Sequence, residues 1–274
     1  MSVSRIKTIA IAALLLINTF FGILIIWDTA ADARSERQAI ENVCAVVSSG
    51  GVMIDPDAVI LSGAIRTMRT AREGEAEAQI AQAVLGRTTM TDHGVIYLYE
   101  NDERGTAEFY SAGDFEIRLN EGVITNENGT LRTVQGLLRD MKFETASQVV
   151  SLGQGSETVS AVSAYKGASI FNCATEFIFV GGSLQTIKGR YVAGIEPLED
   201  GAAIMQVGTA LLGFLAWVRR GNSDCTQIDK IEAGYQYGVS GMFGEGVLVP
   251  AWLVTTDAGR YIIDDATGEI WAVS

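Results

Sequence analysis

The stretch LVPAWLVTTDAGRYIIDDATGEIWAV (residues 248–273) carries the pattern that decides the fold. Leu248 to Thr256 is an apolar run rich in β-branched and aromatic residues, and Arg260 to Ile263 is a second. Asp257-Ala258-Gly259 separates them, a spacing that predicts an antiparallel hairpin. Gly259 supplies the backbone conformation that a tight turn needs, and Thr267-Gly268 does the same at the next corner, where Asp264 to Gly268 turns into Ile270 to Val273. Tyr261 and Ile263 share one face of their strand and Ile262 points to the other. Pro250 is expected at the start of its strand, where a missing N–H does no harm. Trp252 is placed to bury its ring against the sheet.

Working outward, the same signals recur along the chain. Ser169 to Val180 and Ser183 to Val192 read as paired strands around Gly181-Gly182, and Ile228 to Tyr237 reads as another strand. Val95 to Tyr99, Thr106 to Ser111 and Phe115 to Leu119 form a meander with short polar separators. Helical periodicity appears at Ala33 to Val47, with Ala39, Ile40, Val43, Cys44 and Val47 on one side. It returns at Glu73 to Leu85, ended by Gly86, and at Leu131 to Met141, with Leu131, Val134, Leu137, Leu138 and Met141 forming the apolar face. The expected class is α+β: two lobes, each an antiparallel meander packed with helices, with a boundary near Glu121 to Asn128.

The apolar run AAIMQVGTALLGFLAWV (residues 202–218) is followed by Arg219-Arg220, which raises the question of a membrane crossing. It is short for a span and holds Gln206, Gly208, Thr209 and Gly213. Ile204, Val207, Leu211, Leu215 and Val218 recur at intervals of three and four, which predicts a helix packed on a folded core.

The amino terminus is different. TIAIAALLLINTFFGILIIW (residues 8–27) contains no charge, and as a helix it would cover about 30 Å, the hydrocarbon thickness of a bilayer. Arg5 and Lys7 precede it, while Asp28 and Asp32 follow, so residues 1–7 are expected in the cytoplasm and the bulk of the chain outside the membrane. Trp27 sits where an interfacial aromatic anchors the outer end. Ala31-Asp32-Ala33 could serve instead as a signal-peptide cleavage site, though the apolar stretch is longer than the usual ~7–15 residues of such a leader. Asn18 and Gly22 fall one turn apart on one face of the span, a polar group and a small residue suited to a helix–helix contact with a membrane partner. A tolerated polar residue in an inert anchor is the alternative.

Composition narrows the function classes. The chain has 274 residues, 48% hydrophobic and 19% charged, with only 3 prolines, which excludes a disordered linker. Its net charge of −13, with both basic residues of the first segment placed before the apolar stretch, argues against nucleic-acid binding. The single histidine, His93, excludes HExxH and two-histidine zinc sites, and no GxSxG, GxGxxG or GxxxxGK[ST] stretch is present. Asp264-Asp265 and Glu199-Asp200 read as solvated turns, and His93 as a surface turn residue or a pH sensor. Cys44, Cys173 and Cys225 are an odd set; Cys173 with Cys225 is the plausible disulfide in an oxidising compartment, and three free thiols remain equally open. The expectation is a binding or regulatory protein without catalytic residues, metal or cofactor.

Ile231-Glu232-Ala233-Gly234-Tyr235, Pro250-Ala251-Trp252 and Gly259 through Glu269 resemble the closing pattern of YycI and YycH, accessory proteins of the WalK (YycG) sensor histidine kinase of Gram-positive bacteria. Arg5-Ile6-Lys7-Thr8, Gly167 to Phe171, Leu184 and Gly189-Arg190-Tyr191 extend the resemblance to YycI over the whole chain. Two positions depart from it: Leu253-Val254 stand where an arginine is expected after the Pro-x-Trp, and Ile262 where a second aromatic is expected. The resemblance implies residues 28–124 as a membrane-proximal lobe and 125–274 as a carboxyl-terminal lobe, with Gly234, Tyr235, Pro250, Trp252, Gly259, Tyr261, Thr267, Gly268 and Glu269 as structural motif residues. It implies regulation of a kinase that controls cell-wall homeostasis, with that kinase and a YycH-like protein as partners; a homodimer is a further expectation that the resemblance does not carry. Because a hairpin ending in Thr-Gly-Glu also occurs in PepSY-like modules, an extracytoplasmic ligand- or peptide-binding module working without a kinase is the alternative, with an envelope hydrolase or its inhibitor last.

Overall fold

In the computed structural model the terminal hairpin forms as the turn chemistry requires; the structure describes residues 34–61, 63–153, 155–239 and 246–273. Strands β14 (Gly246–Thr256) and β15 (Gly259–Asp264) pair antiparallel from Thr256↔Gly259 to Ala251↔Asp264, and β16 (Ile270–Val273) adds to β15. Gly259 has φ 138°, and the Thr256 hydroxyl closes the turn by donating to the Gly259 carbonyl at 2.9 Å. On the other side, β13 (Gln227–Val239) pairs with β14 along its length. The alternation along β15 is as expected, but both faces are covered. Tyr261 and Ile263 enter the larger core cluster, while Ile262 packs with Ala251 and Leu253 beneath Phe171.

The meander lies in an eight-stranded antiparallel run. Strands β4 (Thr89–Asp92), β5 (Ile96–Asn101), β6 (Gly105–Tyr110) and β7 (Asp114–Leu119) are consecutive hairpins. Strand β7 then pairs with β11 (Ser183–Arg190), β11 with β10 (Ala168–Val180), β10 with β9 (Ser156–Tyr165), and β9 with the edge strand β8 (Thr145–Leu152). Two amphipathic helices, α2 (Gly74–Leu85) and α3 (Thr130–Asp140), cover this run. Ile80, Val84 and Leu85 from α2, and Val134, Leu137 and Leu138 from α3, meet Phe109, Phe115, Ile117, Phe177, Phe179, Leu184 and Ile187 of the strands. Each such burial stabilises by roughly 1.5–3 kcal/mol, so this layer dominates the local energetics. Leu131, placed on the apolar face of its helix by periodicity, is 41% exposed, and the buried residues of α3 begin one turn later with Val134.

Among the described residues one step joins the two runs, and it is parallel. The start of β10 pairs with β13 at Ser169↔Gly234 and Ile170↔Tyr235, after which β10 bulges and continues with β11. The short strands β1 (Met53–Ile54) and β2 (Val59–Ile60) also pair with β13 in parallel, and β3 (Met68–Thr70) joins the end of β14 to β12 (Glu196–Pro197). The result is one connected 16-stranded sheet with four helices among the described residues, an α+β fold. The hydrophobic cores do not divide at residues 121–128. One cluster draws on residues 44–68, 168–173 and 210–263, and the other on residues 80–161 and 177–187. The chain leaves the first core after β3 and returns to it at the start of β10, and the parallel pairing of β10 with β13 is then spanned by the long connection 181–226.

The run 202–218 forms α4 (Val207–Trp217), an 11-residue helix whose Ala210, Leu211, Phe214 and Leu215 are buried against the first core. Arg219, which flanks the run, donates two hydrogen bonds to the Gly50 carbonyl at 3.2 and 3.1 Å, at the end of helix α1 (residues 34–49). That cation therefore completes a helix end. No helix among the described residues is long and apolar enough to cross a membrane. The stretch 8–27, Asn18, Gly22 and the Ala31-Asp32-Ala33 site lie outside the described residues.

Candidate functional site

A cleft of about 590 Å³ opens between α1 and the start of α4. Helical spacing puts Ala39, Ile40 and Val43 on the α1 wall, one or two turns before the buried anchors Cys44 and Val47. The facing wall is the segment Ile204 to Gly208, and the floor is Trp252 of β14 with Ala233 of β13. The facing segment is held from two sides. The Trp252 indole N–H donates to the Met205 carbonyl at 3.2 Å, and the Met205 N–H donates to the Asp265 carboxylate. Burial pushes the Asp265 carboxyl up from its ordinary value, opposed by that hydrogen bond. Ser35, Glu36 and Gln206 are the polar residues at the rim. An apolar floor with a few polar groups at its edge suits binding of an apolar body. Among the described residues no three His, Cys, Asp or Glu side chains converge in a way that could hold a metal.

The motif residues are brought together around this floor, chiefly as structure. Gly234 sits where β10 and β13 approach: a Cβ there would stand 2.5 Å from the Phe171 ring and 2.5 Å from the Ser169 carbonyl oxygen. Tyr235, beside it, is 3% exposed and meets Tyr165 edge-on at 6.4 Å. Pro250 is not at a strand start, as expected, but inside β14 opposite Tyr235. It is tolerated because the outer edge of β14 passes there from β3, registered through Leu248, to β15, registered from Ala251, leaving no ladder bond for its missing N–H. Tyr261 shares a hydrogen bond of 2.8 Å with Ser223 and packs edge-on against Trp217 at 5.1 Å, which fixes the end of α4. In the last turn the Asp264 carboxylate accepts from the Ala266 and Thr267 N–H groups at 2.9 and 2.8 Å. Gly268, with φ 70°, returns its N–H to the Asp264 carbonyl, and the Glu269 N–H donates to the Thr267 hydroxyl. Asp264 is thus spent on the turn.

Cys44, Cys173 and Cys225 are all free and buried, so of the two cysteine arrangements left open the structure has three thiols and no Cys173–Cys225 bridge. Desolvation pushes the Cys173 thiol up to about 12, where it is inert. His93 is exposed in the turn before β5. Glu199 and Asp200 are exposed in a turn as well.

Sequence reasoning missed a buried ion pair. Arg72 donates to both carboxylate oxygens of Glu77 at 2.8 and 3.0 Å and to the Phe109 carbonyl at 3.0 Å, and lies 3.7 Å from the centre of the Tyr97 ring. The pair ties α2 to the meander. Its only sequence signal was a glutamate at the apolar spacing of α2, three residues before Ile80. The cleft was also missed, since its walls are small and aliphatic residues that carry no chemical signature.

No family model matches the chain, and no curated protein matches it. Among solved structures, an uncharacterized protein from Eubacterium rectale superposes with a TM-score of 0.52 at 8% identity, covering 85% of this chain and 99% of that one. The C-terminal domain of YpeB from Bacillus megaterium aligns at 10% identity with a TM-score of 0.37, covering 75% of this chain and 99% of that one. At such identity the first likeness is one of fold, and this chain shares its α+β architecture with the Eubacterium rectale protein.

Proposed function

We propose that the chain is a membrane-anchored, non-catalytic regulator that acts on neighbours in the same membrane. In this reading residues 8–27 are the tether, residues 1–7 are cytoplasmic, and the folded part works outside the membrane. The partners are a cell-wall-controlling sensor histidine kinase and a YycH-like protein, as the resemblance to YycI implies. The division into lobes 28–124 and 125–274 belongs to the same reading, although each hydrophobic cluster draws on both sides of that boundary. The observation that supports it is the placement of α1. Its first described residue, Arg34, follows the apolar stretch by six intervening residues, and Cys44 and Val47 lock it into the core while Ile40 and Val43 form a cleft wall. A change in what fills the cleft would move α1, and α1 leads directly to the tether. Coupling of that kind requires different contacts in the two kinase states and needs only a small helix shift.

Cross-linking and capture of the full chain from membranes tests this. The kinase should be recovered with the wild-type chain and recovered less with Asn18→Leu/Gly22→Leu. Equal recovery would remove the Asn18–Gly22 face as the contact; capture without any kinase would remove the regulator. The cleft itself favours a second reading, an extracytoplasmic binding module acting alone, which the latter outcome would leave standing.

A further inference from the structure

The chain carries a second hollow, of about 390 Å³, beside the step that joins the two sheet runs. Its floor is apolar: Ile65, Met68, Ala168 and Tyr235 are each no more than 6% exposed. Two cations, Arg66 and Lys166, line its mouth. Nearby Arg69 pairs with Glu196, Arg72 with Glu77 and Arg190 with Asp114. Among the described residues Arg66 and Lys166 enter no ion pair, although both flank one cavity.

The reason Lys166 is unpaired is local. It takes φ 50°, unusual for a residue with a side chain, and is held there because the Glu144 carboxylate accepts from the Lys166 N–H at 3.0 Å and the Gly167 N–H at 2.6 Å. Glu144 is thereby spent on the backbone and leaves the ammonium, 5.1 Å from the centre of the Tyr165 ring, without a counter-ion.

We infer that this hollow binds a small organic anion, its carboxylate or phosphate held between Arg66 and Lys166 and its apolar body lying on Ile65, Met68 and Tyr235. At about 30 Å³ per water molecule the volume corresponds to about a dozen waters, room for a small organic body. Guanidinium and ammonium groups supply charge-assisted hydrogen bonds to such an anion, and burial of the body adds area without further polar demand. The inference stands apart from the kinase reading, since binding is measured on the purified chain alone.

The test is isothermal titration of the full chain in nanodiscs with three probes: N-acetyl-leucine, hexyl phosphate and N-acetyl-leucinamide. At least one anion should bind, with affinity falling as salt rises, and the neutral amide should bind at least about ten-fold more weakly. The tighter anion identifies the headgroup. Arg66→Gln/Lys166→Gln should lower anion affinity at least about ten-fold, while Arg220→Gln, at an exposed site, leaves it unchanged. An unchanged melting temperature of the double variant shows that any loss belongs to the site. Equal binding of acid and amide, unaltered binding by the double variant, or no binding of either anion at millimolar concentration would overturn the assignment.

Discussion

Removing Glu77 should destabilise the protein far more than a surface carboxylate would. Its side chain is 5% exposed and that of its partner Arg72 is 14% exposed, so neither charge has water to fall back on. Arg72 keeps the Phe109 carbonyl and the Tyr97 ring face in Glu77→Ala, but two of its three hydrogen bonds vanish and its charge stays buried. Breaking a buried pair on one side costs about 3–5 kcal/mol, and at about 2–4 °C per kcal/mol for a chain of this size the melting temperature should fall by about 6–20 °C. The Arg72→Met/Glu77→Leu double variant removes both charges and refills the volume, so it should melt near the wild type or above it. Thermal unfolding of the full chain in detergent, followed by circular dichroism, separates the two cases. If Glu77→Ala costs less than about 1 kcal/mol, the pair behaves like an exposed one and the claim that it braces α2 to the meander is wrong.

Gly234→Ala should lose about 1–2 kcal/mol: overpacking of about 1–3 kcal/mol against a carbonyl oxygen that cannot yield exceeds the gain of about 0.4–1 kcal/mol from a stiffer unfolded chain. Gly238→Ala, with no atom within 4 Å of the new Cβ, is the control, and equal urea midpoints for the two variants would refute the close approach of β10 and β13. Asp257 is held down to about 2, first by the Thr226 hydroxyl and then by the Gln227 N–H. Its folded value lies below the unfolded value of 3.8, so its contribution to stability is whole above that pH and disappears as pH falls through about 2. Asp257→Asn should therefore lower the urea midpoint at neutral pH and converge with the wild type in acid; a difference independent of pH would show that the carboxylate charge is not what holds the turn to β13.

Much of the fold was legible because its signals are local. The turn at Asp257 to Gly259, the meander from Val95 to Leu119 and the apolar faces of α2, α3 and α4 each depend on residues within a few positions of one another. The hairpin of β8 and β9 was not read, since TASQVVSL and SETVSAVSAY set serine, threonine and valine on both faces. The edge strand β8 is mostly exposed and β9 beside it fully buries only Val159 and Ala161, so the apolar alternation is too short to stand out. The candidate cleft was illegible for another reason: α1 and Trp252 lie about 200 residues apart, and neither pattern names the other.

From its residues alone this chain declares an uncharged stretch of membrane-spanning length, an acidic α+β remainder, and the turns that close its last strands, because composition, periodicity and turn chemistry act over short distances. Tertiary structure alone decided the parallel step between β10 and β13, the nesting of one core within the sequence of the other, the burial of Arg72 with Glu77, and the isolation of Arg66 and Lys166. Those depend on which distant surfaces meet, and the free energy that selects such meetings is spread over many weak contacts that no short stretch of sequence encodes.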